Sequence, residues 1–456
     1  MTTPPSFRYV DLFAGIGGFA AALSAYGGEG VYSVEIDPAA AKVYELNWGH
    51  SPLGDITVDV NDAVMKVPPH DVLAAGFPCQ PFSKSGAQLG MDETRGTLYW
   101  HILKVIQAHK PPVVILENVR NLAGPRHLHE WQVIIETLRD AGYRVSETPA
   151  VFSPHQIPPD RGGRPQVRER VFITATYNPK GIGNGIEPDP VLSPRTRFEG
   201  FDPSSEWALD ELLDPDHHAA GCDLAAAERL WIDAWDDFVK LMHKARPDRR
   251  LPGFPIWADA WPRNAAKAKK LSEEITSADT PAWKRSHLVK NEDYYLAHRD
   301  LLDPWAAKWG VFTDKFPPSR RKLEWQAQDT PRLWDTVMHF RPSGIRAKRP
   351  TYLPALVAIT QTSIIGPRER RLSPREAARL QGLPDGFTFG EQSDAATYRQ
   401  LGNGVNVGAV WNVLKAHVTR DEDVLKQTVR GRRIIAAVLD APRSPDERLR
   451  EMFPND

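Results

Sequence analysis

From Tyr9 to Tyr177, short apolar runs alternate with helix-like stretches. Tyr9–Phe13, Val31–Glu35, Val72–Ala75, Val113–Glu117 and Val167–Thr174 have the length and apolar character of buried strands. The small-residue stretch Ala20–Tyr26 and the segment Leu98–His109 read as helices. Another helix is predicted to start at Asp37-Pro38, with Asp at the N-cap and Pro at the first helical position. Strands alternating with helices predict an α/β domain on a mostly parallel sheet.

The rhythm stops near Tyr177. Residues 178–204 are rich in Gly and Pro and read as a linker. Residues 223–243 read as an amphipathic helix, and Leu230, Trp231, Ala234, Trp235, Phe238 and Met242 share one face of it, as core packing requires. Leu372-Ser373-Pro374-Arg375-Glu376 opens a further helix, with Ser373 as its cap. A Gly/Asn turn at Leu401–Val407 leads into a last helix near Val410–His417. The expected division is a first domain over 1–177, a separate domain with its linker over 178–365, and a C-terminal part over 366–456 that completes the first domain and adds a helical tail.

Composition changes this picture little. The 456 residues include two cysteines, too few for a disulfide framework and without zinc spacing, which points to a reducing, cytoplasmic setting and to no metal. No apolar run reaches the length of about 18 residues that a membrane span needs. The net charge of −1 excludes a generally basic coat but not a local basic cleft. Lys315–Arg349 is such a locality, with nine basic and three acidic residues interleaved with Trp325, Trp334 and Phe340.

Candidate chemistry sits at the strand ends. Asp11-Leu12-Phe13-Ala14-Gly15-Ile16-Gly17-Gly18 joins a strand to a helix, where glycines let a ligand approach the backbone. Glu35 ends the next strand, where a carboxylate can accept ribose hydroxyls. The loose GxGxxA pattern of this turn also fits nucleotide oxidoreductases. In such a site Asp55 can bond an adenine amino group while Ile56 packs on the ring. Gly76-Phe77-Pro78-Cys79-Gln80-Pro81-Phe82-Ser83 puts a thiol after a strand, in a loop stiffened by two prolines. A thiolate adding to C6 of cytosine makes C5 nucleophilic. Glu117, at another strand end, is placed to supply the acid at N3, with Asn118 to fix the geometry. Alternation along a strand from Gln166 puts Arg168 and Arg170 on one face, suited to a base carbonyl and a carboxylate.

In this order and spacing, DLFAGIGG, the VEIDP around Glu35, GDI at 54–56, GFPCQPFS, RGTL at 95–98, ENV at 117–119, QVRER at 166–170, RLSPREAARLQGLPDGF at 371–387 and LGNGVNVGAV at 401–410 resemble the DNA (cytosine-5) methyltransferase family of prokaryotic restriction–modification systems. The likeness is close over 8–177 and 370–418. It implies a doubly wound, Rossmann-like methyltransferase sheet with a separate target-recognition domain. It also implies transfer of a methyl group from S-adenosylmethionine, leaving S-adenosylhomocysteine, to C5 of a flipped-out cytosine in double-stranded DNA.

By the same likeness Phe13, Gly15, Gly17, Glu35, Ile36, Asp55, Ile56, Pro78, Leu98, Asn403 and Val405 would hold the cofactor. Cys79 would attack C6, Glu117 would bond N3 and the exocyclic amine, and Arg168 and Arg170 would orient the ring. Gln80, Ser83, Ser85 and Arg95 would meet DNA from the catalytic loop, and Arg346, Lys348 and Arg349 from the basic stretch. A monomer is expected, with a cognate endonuclease acting separately. One branch of the family methylates tRNA, but the large, basic, aromatic variable domain favours DNA. Two departures stand out. The stretch 153–165 is longer than the family's turn and is expected to reshape a DNA-facing edge, and Gly404 stands where Ser is usual.

Overall fold

The structure, a computed structural model, describes residues 6–78, 97–178, 188–193, 196, 198–215, 219–246, 250–356 and 362–455. The chain forms two compact units. One comprises Met1–Ala208, Pro354–Thr360 and Pro374–Asp456, and the other Leu209–Leu353 and Gln361–Ser373. The first division falls at Ala208/Leu209 rather than at 177/178.

The first unit holds a seven-stranded sheet. Its strands are β1 (Phe7–Leu12), β2 (Gly28–Val34), β3 (Val72–Gly76), β4 (Val113–Val119), β5 (Tyr143–Val145), β6 (Ala150–Phe152) and β8 (Arg170–Tyr177), with the short strand β7 (Gln166–Val167) outside it. The order is β2-β1-β3-β4-β8-β5, and β6 also pairs with β8. β1 to β4 run parallel and β8 runs antiparallel to its neighbours. The reason is visible in the sequence: Val72, Leu73, Ala74 and Ala75 are buried without exception, as a strand covered on both faces must be. Leu73 and Ala75 share a core with Ile102, Leu103 and Ile106 of the helix Leu98–His109 and Trp131, Ile134 and Leu138 of the helix Leu128–Asp140. The helix Pro38–Trp48 starts as its sequence predicts, with the Asp37 carboxylate accepting from the Ala39 and Ala40 N–H groups and Gly49 closing it in the left-handed region.

The strand expected over Val167–Thr174 breaks at residues 168 and 169, and β8 begins at Arg170. Nor is the helix Val407–Arg420 the last one: Glu422–Leu425, Val429–Leu439 and Asp446–Met452 follow and fold back on the sheet unit. Arg430 Nε meets the Asp71 carboxylate at 2.6 Å, and Arg164 meets Asp446 at 2.7 Å. The long stretch 153–165 packs against these C-terminal elements of its own unit. The Asn412 amide donates to the Arg161 carbonyl, the Arg164 Nε donates to the Arg379 carbonyl, and Gly162 lies against Pro445. Those contacts tie the extra residues to the C-terminal part of the unit.

The second unit is built on a six-stranded sheet that includes Ile256–Trp257, Lys322–Gln326, Val337–Arg341, Gly344–Lys348, Ile364–Ile365 and Arg370–Arg371. The helix Ala226–Ala245 supplies its core with Ala234, Trp235, Phe238 and Met242, the face read from the sequence, while Leu230 and Trp231 pack at its margin.

His70 and His417 are fully buried in the first unit. Burial pulls their imidazoles down to about 4 and about 3. The unfolded chain takes up these protons near pH 6.5, and the folded chain refuses them until far lower pH. Stability present above pH 6.5 is therefore lost as pH falls, by up to about 1.4 kcal/mol per pH unit for each histidine. Thermal melts from pH 7.5 to 5 should show a falling midpoint, and His417→Gln should flatten the fall. A midpoint independent of pH over that range would contradict the buried neutral imidazoles.

Candidate active site

The carboxyl ends of β1, β2, β3 and β4 surround a cavity of about 490 Å³. Three turns shape it. After β1 the backbone enters the left-handed region at Phe13, Gly15 and Gly17, with φ of 62°, 55° and 95°. That is strained for phenylalanine, and strain of this kind collects where a ligand is held. After β2 the Glu35 carboxylate accepts from the Gly15 N–H and the Asp37 N–H, both at 2.8 Å, tying the two turns together. The segment before Asp55 is drawn in by backbone bonds, Glu35 N–H to the Pro52 carbonyl and Gly54 N–H to the Glu35 carbonyl. Asp55 then caps the short helix Ile56–Asp59, accepting from Thr57 through one oxygen, Oδ1.

Phe13, Gly15, Glu35, Ile36, Asp55, Ile56, Pro78, Leu98, Asn403 and Val405 all line this cavity. Ile36 is 69% exposed among the described residues, an apolar side chain turned largely to solvent. Gly17 does not line the cavity. A Cβ there would collide with the Trp48 indole, whose Nε1 donates to the Ile16 carbonyl at 3.4 Å. Gln400 and Gly402 also line it, from the helix Asp394–Asn403, which runs into the segment read as the Gly/Asn turn. Gly402 belongs to that segment, and only nearness to it signalled Gln400.

Glu117, at the end of β4, shares the cavity with Arg170. Arg170 Nε lies 3.1 Å from Glu117 Oε1. Burial raises the Glu117 carboxyl, and the charges of Arg170 and Arg168 oppose that rise. Asn118 donates from Nδ2 to the Phe77 carbonyl at 2.8 Å, while its Oδ1 accepts from the Val119 N–H. The end of β4 thus holds the chain one residue before Pro78. Cys79, Gln80, Ser83, Ser85 and Arg95 lie outside the described residues.

Arg168 is placed differently from Arg170. It is 1% exposed and lies off the cavity lining. Its Nη1 donates to the Leu356 carbonyl at 2.9 Å, and its Nη2 to the Gly402 and Gly404 carbonyls at 2.7 Å. The break after β7 redirects this side chain, which simple alternation puts beside Arg170. In this position it holds the Gly402–Gly404 wall of the cavity and does not reach into it.

In the second unit the strands Lys322–Gln326, Val337–Arg341 and Gly344–Lys348 bury Leu323, Trp325, Met338, Phe340, Ile345 and Ala347 on one face. The alternate positions put Glu324, His339, Arg341, Arg346 and Lys348 on the other. In register, His339 faces Arg346, and Glu324 faces Arg346 from the other side. Arg346 Nε is paired to Glu324 at 2.8 Å, and Arg349 is paired to Asp329. Arg341 and Lys348 have no ion pair among the described residues. Burial and neighbouring cations weaken the charged form of both.

A parallel α/β sheet with a ligand cavity at its strand ends, a carboxylate tying two glycine turns, and a buried Glu–Arg pair define a Rossmann-like enzyme. The family model described as C-5 cytosine-specific DNA methylase matches residues 7–419. The chain is 53% identical to the type II methyltransferase M.AluI of Cellulosimicrobium cellulans, over 95% of this chain and 96% of that one. It is 44% identical to M.HgiBI of Herpetosiphon aurantiacus, over 88% and 94%. With M.HpaII of Haemophilus parainfluenzae the identity is 39%, over 89% and 87%. The chain belongs to the C-5 cytosine-specific DNA methylase family and is a DNA methyltransferase of the type II, restriction–modification kind. No helix among the described residues is long and apolar enough to cross a membrane.

Arg168→Lys removes a guanidinium that bridges three carbonyls and leaves at least one of them buried without a donor. A loss of about 2 kcal/mol is expected, read as a lower urea midpoint at unchanged slope. An unchanged midpoint would show that the Gly402–Gly404 wall holds without it.

Proposed function

We propose that the cavity binds S-adenosylmethionine and that the chain transfers its methyl group to C5 of a cytosine flipped out of double-stranded DNA. The observation that carries this reading is the meeting, in one cavity, of Glu35, Ile36 and Asp55 with the Glu117–Arg170 pair. The residues suit that cofactor. Each Glu35 oxygen takes one backbone N–H and keeps lone pairs for ribose hydroxyls. Exposed Ile36 offers a surface for an adenine ring, and Asp55 Oδ2 remains to accept from its amino group. When bound, the cofactor supplies an electrophilic methyl group.

The chain's own residues prepare the acceptor. The Cys79 thiolate adds to C6, and the electrons of the C5–C6 double bond make C5 the nucleophile. Glu117, kept toward its neutral form by burial, donates to N3 and stabilises the charge developing on the ring. Arg170 fixes the Glu117 carboxyl on the side opposite the base. Loss of the C5 proton to a base then releases the thiolate. Cytosine in a duplex exposes no path to C6, so the base leaves the stack, at a cost of a few kcal/mol.

Expression in a host free of C5-methylcytosine, followed by base-resolution methylation mapping, tests the chemistry. The unaltered chain should methylate one short motif. Cys79→Ser should abolish this, and Glu117→Gln should slow it by about 10²–10⁴-fold, both with DNA binding retained. Because a carboxyl with a raised pKa must stay protonated to donate, kcat should fall as pH rises through that pKa. Full activity in Cys79→Ser would refute the covalent route.

On the second unit, Arg341 and Lys348 are proposed as phosphate contacts, since Arg346 and Arg349 are already engaged by carboxylates. Arg341→Gln with Lys348→Gln should weaken DNA binding and reduce the salt slope by about 2, the release of two counterions. An unchanged slope would move the DNA contact to another surface.

A further inference from the structure

The C-terminal segment beyond the family match ends on the back of the cofactor turn. The family model stops at residue 419, and the helix Asp446–Met452 packs on the helix Gly18–Ala25 that the glycine turn opens. Phe453 follows it and is 8% exposed. Its ring meets Trp48 edge to face, with centroids 5.3 Å apart and planes at 89°. Trp48 fills the space where a Gly17 Cβ would stand and donates to the Ile16 carbonyl. A continuous line of contact therefore runs from Phe453 through Trp48 to Ile16 and Gly17. Phe453 is itself fixed by Phe387, at 5.6 Å, and by its main chain, which lies so close over Gly386 that a Cβ there would sit 2.7 Å from the Pro454 carbonyl oxygen. The residue before Trp48 is anchored too: Asn47, at the same end of the helix Pro38–Trp48, exchanges two hydrogen bonds with the Thr388 backbone.

We infer that Phe453 is a positioning residue for the cofactor turn, acting through Trp48. A turn with three residues in the left-handed region needs an outside wall to hold its shape, and the wall here is an indole backed by Phe453. The tail thus serves cofactor affinity and leaves the bond-making steps alone. This inference rests on the reading of the cavity as the S-adenosylmethionine site.

The test measures S-adenosylmethionine and S-adenosylhomocysteine binding by calorimetry to the full chain and to Phe453→Ala, Phe453→Leu and Trp48→Phe. Steady-state kinetics and urea midpoints are measured on the same proteins. Phe453→Ala should raise Kd and the KM for S-adenosylmethionine roughly tenfold, leaving kcat and the KM for DNA within about twofold. Phe453→Leu, which restores an apolar wall, should recover most of the affinity, and Trp48→Phe should fall between. If wild-type Kd persists in folded Phe453→Ala, the strut is wrong. If kcat and both KM values worsen together with the urea midpoint, the contact is merely structural and the inference is also wrong. A wild-type chain that binds neither compound would overturn the cofactor reading itself.

Discussion

The buried guanidinium of Arg168 carries a constraint that the remaining structure depends on. The first unit is discontinuous: its sheet is complete by Tyr177, yet part of its cavity wall comes from Gly402 to Val405. A break in the chain of that length gives no local force to bring the two parts together. Arg168 does so with donors fixed in a plane, spent on the carbonyls of Leu356, Gly402 and Gly404. The Gly402 carbonyl lies in the last turn of the helix Asp394–Asn403, and those of Leu356 and Gly404 lie outside helix and strand, so the arginine meets a need that backbone pairing leaves open. Burial disfavours its charge, and the Glu117 carboxylate partly restores the balance.

The same closure is repeated at lower cost around the rim of the unit. Asn412 takes the Arg161 carbonyl, Arg164 spans the Arg379 carbonyl and Asp446, and Arg430 reaches Asp71 from the tail. The residues between Ser153 and Pro165 make sense in this frame. They fill the seam between the sheet and the returning C-terminal helices, with Gly163 and Gly408 allowing backbones to approach where a Cβ would collide with a carbonyl. A unit assembled from distant segments in this way depends on long-range contacts throughout.

Much of the sheet unit was legible because its signals are local. A short, β-branched apolar run such as Val-Val-Ile-Leu, preceded by two prolines, favours a strand buried on both faces, and Asp37-Pro38 favours a helix start. The glycine turn, Glu35 and Glu117 were legible for a related reason: each is fixed by the end of a strand, while Asp55 caps a short helix. Arg168 was not, because its direction depends on a two-residue break that alternation cannot foresee. Trp48 and Phe453 were illegible as a pair, since nothing in either segment names the other. In the second unit the cations of Lys315–Arg349 were visible as a cluster. Which of them are already spent on Glu324 and Asp329 is a matter of register, and register requires the sheet.

On the proposed reading, the Glu117–Arg170 pair sets the acid that the reaction needs. Two effects of opposite sign act on one carboxyl: removal from water raises its affinity for a proton, and a guanidinium at 3.1 Å lowers it. With Arg170 alone in solvent, the carboxylate would stay ionised and could only accept. With burial alone, its affinity for the proton would rise further, but the group would be free to turn. Together they leave burial ahead while Arg170 fixes which oxygen faces away. Any base that fills the cavity excludes more water and moves the balance further toward the neutral acid. On that reading, the group that orients the acid is also the one that opposes its protonation.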